Sequence, residues 1–174
     1  MNTEKVLLVI DMQNDFVDGA LGTREAEKIV SRVAQKIRHA KEHGDQVVFT
    51  QDTHTPDYLR TQEGTLLPTV HCVKGTAGFE LCEPIAALAE DSVIFEKSTF
   101  ASVALAKYLC KLRPDEVELI GLCTDICVIS NALMIKSFLS ETKMIVDSSC
   151  CAGVTPQSHE NALNAMKMCQ VSVI

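Results

Sequence analysis

The chain has 174 residues, 47% of them hydrophobic and 22% charged, which suits one compact soluble domain and excludes a disordered or membrane-embedded chain. A formal charge of -7 argues against a clustered Lys/Arg surface, so nucleic acid is not expected as a partner, and no apolar run nears the roughly 20 residues of a bilayer span. Of the eight cysteines in so apolar a chain, most read as reduced, buried side chains rather than a disulfide scaffold.

In chain order, MNTEKVLLVID lacks the basic flank and long apolar core of a signal peptide, so a cytoplasmic location is expected, and VLLVI (6–10) reads as a buried strand. Asp11 follows it directly and is either a turn cap or a site residue. AEKIVSRVAQKIRHAKEHG repeats Ile29, Val33 and Ile37 at helical spacing, and Gly44 stops that helix. QVVFT (46–50) is the second strand. The stretch 51–91, rich in Pro, Gly, His and Asp, reads as a long functional loop region. SVIFE (92–96) then leads into Lys97, and ASVALAKYLCKL is helical. EVELIGL (116–122) is a fourth strand and ICVISNALMIKSFLS a further helix; KMIVD (143–147) and QVSVI (170–174) complete six strands. Strands alternating with helices predict a single-domain α/β fold over residues 1–174, a doubly wound six-stranded parallel sheet with helices on both faces.

In such sheets ligands bind beyond the carboxyl ends of the strands, where strand order reverses. The polar residues there are Asp11, Asp52 with His54, Lys97, and the octapeptide GLCTDICV (121–128). Its two cysteines, Cys123 and Cys127, do not make a C-x-x-C redox motif, and no second ligand pair follows to complete a zinc site. Packing accounts for Cys123 at the end of an apolar strand. Cys127 falls at about the first turn of the next helix, where free backbone N–H groups favour a thiolate and can hold an oxyanion. Asp52, His54, Glu63 and His71 lie within twenty residues of one another in sequence, and imidazole with carboxylate suits Zn²⁺, Fe²⁺ or Mn²⁺. The D-x-H spacing puts Asp52 and His54 on one side of an extended segment, so both can reach one ion.

With these residues in place, the chain resembles the isochorismatase-like cysteine hydrolases, and within them the nicotinamidases. The likeness is carried by VIDMQNDF (9–16), TQDTH (50–54), LPTVHCVKGTAG (67–78), FEKSTF (95–100) and GLCTDICV, in that order. It implies a catalytic triad of Asp11, Lys97 and Cys127, a cis peptide at Cys123–Thr124, and an oxyanion hole from the backbone N–H groups of Cys123 and Cys127. It further implies a divalent metal, zinc first among the options, held by Asp52, His54 and His71 with Glu63 as the extra carboxylate. Phe16, Leu67, Phe100 and Thr124 would form the substrate pocket, and a homo-oligomer is the expected assembly.

The implied activity is hydrolysis of nicotinamide to nicotinate and ammonia through a cysteine thioester, a step of NAD salvage. Another small amide or a carbamoyl or ureido compound is the alternative substrate. In this scheme Lys97 and the helix terminus depress the Cys127 pKa and Asp11 takes the thiol proton. Two departures stand out. Nicotinamidases often carry a tryptophan where Leu67 stands, whereas this chain has none, and Tyr58 and Leu59 occupy the neighbourhood of the usual third histidine.

Overall fold

The computed structural model describes residues 4–174. All six expected strands form: β1 (Lys5–Ile10), β2 (Gln46–Asp52), β3 (Val93–Lys97), β4 (Glu116–Leu122), β5 (Lys143–Ala152) and β6 (Ser172–Val173). They make one parallel sheet in the order β3-β2-β1-β4-β5-β6. The chain winds outward in two directions from β1 and β4, so the strand order reverses between them.

Alternation along the strands assigns each side chain to a face. Leu7, Val9, Val47, Phe49, Ile120 and Leu122 point to one core, covered by α2 (Arg24–His43) and α4 (Ile85–Ala89). Val6, Leu8, Ile10, Val48, Val117 and Leu119 point to the other, covered by α5 (Val103–Leu112), α6 (Ile129–Phe138) and α7 (Pro156–Met168). The helical pattern of α2 is as expected: Ile29, Val33 and Ile37 are buried, Thr23 caps its first turn, and Gly44 ends it at φ 78°. The loop region 51–91 holds two short helices of its own, α3 (Gln62–Leu66) and α4, after the four-residue α1 (Asn14–Val17).

β1 and β2 run one and two residues longer than expected, and two other strands depart further. β5 runs on to Ala152 because its register against β4 shifts from Leu119↔Val146 to Gly121↔Cys151, a bulge that the Asp147–Ser149 hydrogen bonds close on themselves. β6 keeps only two of the five residues of QVSVI. All eight cysteines are free thiols.

Candidate active site

At the carboxyl end of β1 the chain turns sharply, with Asp11 at φ 46° and its side chain buried. Thr50 on β2 fixes the carboxylate: its hydroxyl donates to Asp11 Oδ1 at 2.6 Å, and the Asp11 N–H donates to the same hydroxyl at 3.2 Å. Lys97, the last residue of β3, crosses the end of β2 to place Nζ 2.6 Å from Asp11 Oδ2, 3.4 Å from Asp52 Oδ1 and 3.4 Å from Cys127 Sγ. The three residues expected to carry the chemistry therefore meet, although each ends a different run of the sequence. Asp11 is thus held at both oxygens, by the Thr50 hydroxyl at Oδ1 and by the Lys97 ammonium at Oδ2.

Cys127 sits in a π turn, Thr124–Val128, rather than in the first turn of an α-helix; α6 begins only at Ile129. The N–H groups of Ile126 and Val128 both donate to the Cys123 carbonyl at 3.1 Å, so neighbours on both sides of Cys127 share one acceptor. The turn opens at a cis peptide between Leu122 and Cys123, one bond earlier than the expected Cys123–Thr124. The backbone already leaves regular strand geometry at Gly121 (φ 115°), where a Cβ would lie 2.1 Å from the Ile10 carbonyl oxygen, so the bend starts inside the end of β4.

Electrostatics correct one expectation. The Cys127 thiol is pushed well above the ordinary cysteine range, first by burial and then by the Asp11 charge, and Lys97 offsets only part of this. Burial likewise raises Asp11 despite the lysine beside it. Lys97 itself is raised: burial favours its neutral form, but its negative neighbours, Asp11 first and Asp52 among them, outweigh that. The resting site is thus a protonated thiol beside a carboxylate of increased basicity and a lysine that stays charged. A thiolate lowered in advance by Lys97 is not what this degree of burial allows.

On the far side of Lys97, Asp52, His54, Glu63 and His71 each direct one donor atom into a common space, all within 4.8 Å of one another. His54 Nε2 lies 2.9 Å and His71 Nε2 3.5 Å from Asp52 Oδ2, with Glu63 Oε1 at 3.7 and 3.8 Å from the two rings. His71 Nδ1 is 2.8 Å from the Thr69 carbonyl, which fixes that nitrogen as the N–H and turns the Nε2 lone pair inward. His54 Nε2 is buried with no aligned hydrogen-bond partner. Burial works against the Asp52 carboxylate, but the imidazoles of His54 and His71 beside it and the Lys97 charge hold it far below the usual range. His71 is raised: burial opposes its charged form, and Asp52, the Thr69 carbonyl and Glu63 overcome this. An orphaned imidazole nitrogen in a space that favours positive charge fits a divalent cation with two nitrogen and two carboxylate donors.

Several supports went unseen in the sequence. Gln13 is buried and its amide clamps β2, accepting from the Asp52 N–H at 2.7 Å while donating to the carbonyls of Asp52 and Phe79 at 2.8 Å each. The Cys72 N–H donates to Asp15 Oδ2 at 2.8 Å, and the Cys72 carbonyl accepts from the His54 N–H at 2.9 Å, which brings the two histidine segments together. Thr50 and Asn131 complete the set. A buried polar side chain gives no sequence sign of which backbone groups it will meet.

Above the site opens a cavity of about 530 Å³ lined by His54, Glu63, Leu66, Leu67, Phe100 and Ile126, among others. Leu67 and Phe100 thus stand where a substrate pocket was expected. Phe16 and Thr124 do not line it: Phe16 packs its ring on His71 at 5.5 Å between centroids, and Thr124 is fully buried with its hydroxyl 2.8 Å from His159 Nδ1. Both were expected as pocket walls from the family resemblance; their contacts here are with His71 and His159.

A profile described as the Isochorismatase domain matches residues 5–174. The chain is 26% identical over 187 residues to a nicotinamidase of Saccharomyces cerevisiae, covering 82% of this chain and 86% of that one. It is 27% identical to a nicotinamidase/pyrazinamidase of Mycobacterium tuberculosis, covering 98% of each. The crystal structure of a pyrazinamidase of Pyrococcus horikoshii in complex with zinc superposes with a TM-score of 0.86 at 31% identity, covering 98% of both chains.

Proposed function

The chain belongs to the isochorismatase family, and from that membership we propose that it is an amidohydrolase converting nicotinamide to nicotinate and ammonia. The observation that carries this reading is Lys97, whose Nζ touches Asp11, Cys127 and Asp52 and so ties a nucleophile and its base to a four-donor metal cluster. Relatives named for nicotinamide and pyrazinamide hydrolysis favour it over other amides.

In this mechanism Cys127 is the nucleophile and Asp11 the base. The thiol proton passes to Asp11, whose burial-raised pKa makes it a stronger base than an ordinary carboxylate. Sulfur attacks the amide carbon, and the new oxyanion accepts from the N–H groups of Cys123 and Cys127. Lys97 stays protonated and stabilises the negative charge as it moves from Asp11 to sulfur to oxygen. Collapse expels ammonia, which takes its proton from Asp11. Asp11 then deprotonates a water that opens the thioester, returning the Cys127 thiol and releasing nicotinate.

Asp52, His54, His71 and Glu63 would hold one divalent ion, for which zinc is our reading, supported by the zinc complex of the Pyrococcus horikoshii protein. When bound, such an ion supplies a Lewis-acidic site for the pyridine nitrogen and so selects a ring that carries one. Leu67 and Phe100 would hold the ring faces. The same reading treats residues 1–174 as one catalytic domain, working in the cytoplasm as a homo-oligomer and feeding nicotinate into NAD salvage. No helix among the described residues is long and apolar enough to cross a membrane.

The test is ammonia release from nicotinamide and pyrazinamide by enzyme loaded with zinc and by enzyme treated with a chelator. Release that the chelator stops and zinc restores supports the proposal. Equal release from benzamide, or indifference to the chelator, counts against it.

A further inference from the structure

Asn131 is fully buried one turn beyond Cys127, and nothing in the chemistry above uses it. Its amide nevertheless makes three hydrogen bonds, all to backbone of the site. Nδ2 donates to the Cys127 carbonyl at 2.8 Å and to the Phe100 carbonyl at 3.0 Å, and Oδ1 accepts from the Ser102 N–H at 3.0 Å. Ser102 in turn caps α5, its hydroxyl accepting from the Leu105 N–H at 3.1 Å. The segment 98–102 starts at Lys97 and carries Ser98, Thr99 and Phe100 along the cavity wall. One side chain thus joins the nucleophile's backbone to the loop that leaves the site lysine.

The chemistry of the amide explains why it stands there. The change from π turn to α-helix at Ile129 disturbs the regular ladder just past Cys127, and a carboxamide is the one uncharged side chain with two donors and an acceptor. Leucine would remove all three hydrogen bonds, taking from the Phe100 carbonyl and the Ser102 N–H the partner they have here, and aspartate would turn acceptor oxygens toward two carbonyls. Because Cys127 Sγ is only 3.4 Å from Lys97 Nζ, small displacement of either segment changes the geometry of attack.

We propose that Asn131 is a positioning residue, which sets the Cys127 sulfur against Lys97 and Asp11 by locking the Cys127 carbonyl to the Phe100–Ser102 loop. The role assigned to Cys127 rests on the amidohydrolase reading, so the experiment reads Asn131 both with and without substrate. In metal-loaded enzyme, N131A is compared with wild type for kcat and KM on nicotinamide per titrated active site, and for the rate at which iodoacetamide alkylates Cys127.

The expected result is a fall in kcat on the order of a hundredfold, with KM changed much less, and slower alkylation at an unchanged metal content. N131S, which keeps one donor, should recover part of both rates, and it carries the test if N131A does not fold. Wild-type kcat and alkylation in whichever variant folds would overturn the proposal. So would losses that disappear once rates are expressed per folded molecule. If wild-type protein releases no ammonia from nicotinamide, the amidohydrolase reading fails, and the alkylation rates still decide the role of Asn131.

Discussion

Two lysines in this molecule each sit between two carboxylates. Lys36 on α2 lies 2.6 Å from Glu118 and 2.9 Å from Asp147 across the face of the sheet, and Lys97 lies 2.6 Å from Asp11 and 3.4 Å from Asp52 at its carboxyl edge. Composition and distance are nearly the same, yet Asp147 is held below the usual carboxylate range and Asp11 is pushed above it. The difference is water. The Lys36 side chain is 28% exposed and that of Asp147 11%, whereas Lys97 and Asp11 are at 2% and 0%. For Asp147 burial raises the pKa, but hydrogen bonds from Lys36 and Ser149 win. For Asp11 the loss of solvent exceeds what one lysine returns, and the charge on Asp52 adds to it. The first trio staples a helix to a sheet; the second holds a carboxylate of raised basicity beside a thiol.

Cys127→Ala breaks the comparison most severely. It should lower ammonia release by on the order of 10⁴-fold or more while metal content and thermal midpoint stay near wild type, as seen by metal analysis and calorimetry. Asp11→Asn is next, since it keeps the shape and removes the base: kcat should fall by roughly 10²–10⁴-fold. In wild type the acid limb of the kcat/KM profile should lie above the ordinary aspartate pKa of about 3.9, because Asp11 must be ionised to act and its pKa is raised. A limb at or below that value would contradict the assignment.

Lys97→Met should cost both rate and stability, because it leaves the buried Asp11 carboxylate without its counter-charge; about 3–5 kcal/mol is typical for removing one partner of a buried pair. Lys36→Met should leave kcat unchanged and cost only about 1 kcal/mol, since this pair keeps contact with water. That smaller loss has a pH signature. Asp147 has a lowered folded pKa, so its contribution is complete above the unfolded value near 4 and fades as pH falls through the folded value. Thermal midpoints of wild type and Lys36→Met should therefore converge in acid; a gap that widened instead would reverse the sign.

The contrast also shows what a sequence carries. Asp11, Asp52, Lys97 and Cys127 were legible because strand ends are where an open parallel sheet gathers its functional groups, and the strands announced themselves as apolar runs. The metal cluster was legible from residue type: two imidazoles and two carboxylates in a loop have few other reasons to coincide. What stayed hidden depends on contact. Neither Gln13 nor Asn131 differs from a surface amide until the backbone groups around it are placed. The displaced cis bond and the π turn arise where β4 passes close to the Ile10 carbonyl, a tertiary constraint. The direction of the Cys127 pKa depends on burial, which spacing does not encode.

The central claim is that Cys127 forms the bond to the substrate, and mass spectrometry of enzyme quenched during turnover of nicotinamide tests it most directly. The account expects one nicotinoyl group on the peptide that contains Cys127, present in wild type and missing in Cys127→Ala. A nicotinoyl group on another residue, or ammonia release by Cys127→Ala at the wild-type rate, would contradict it.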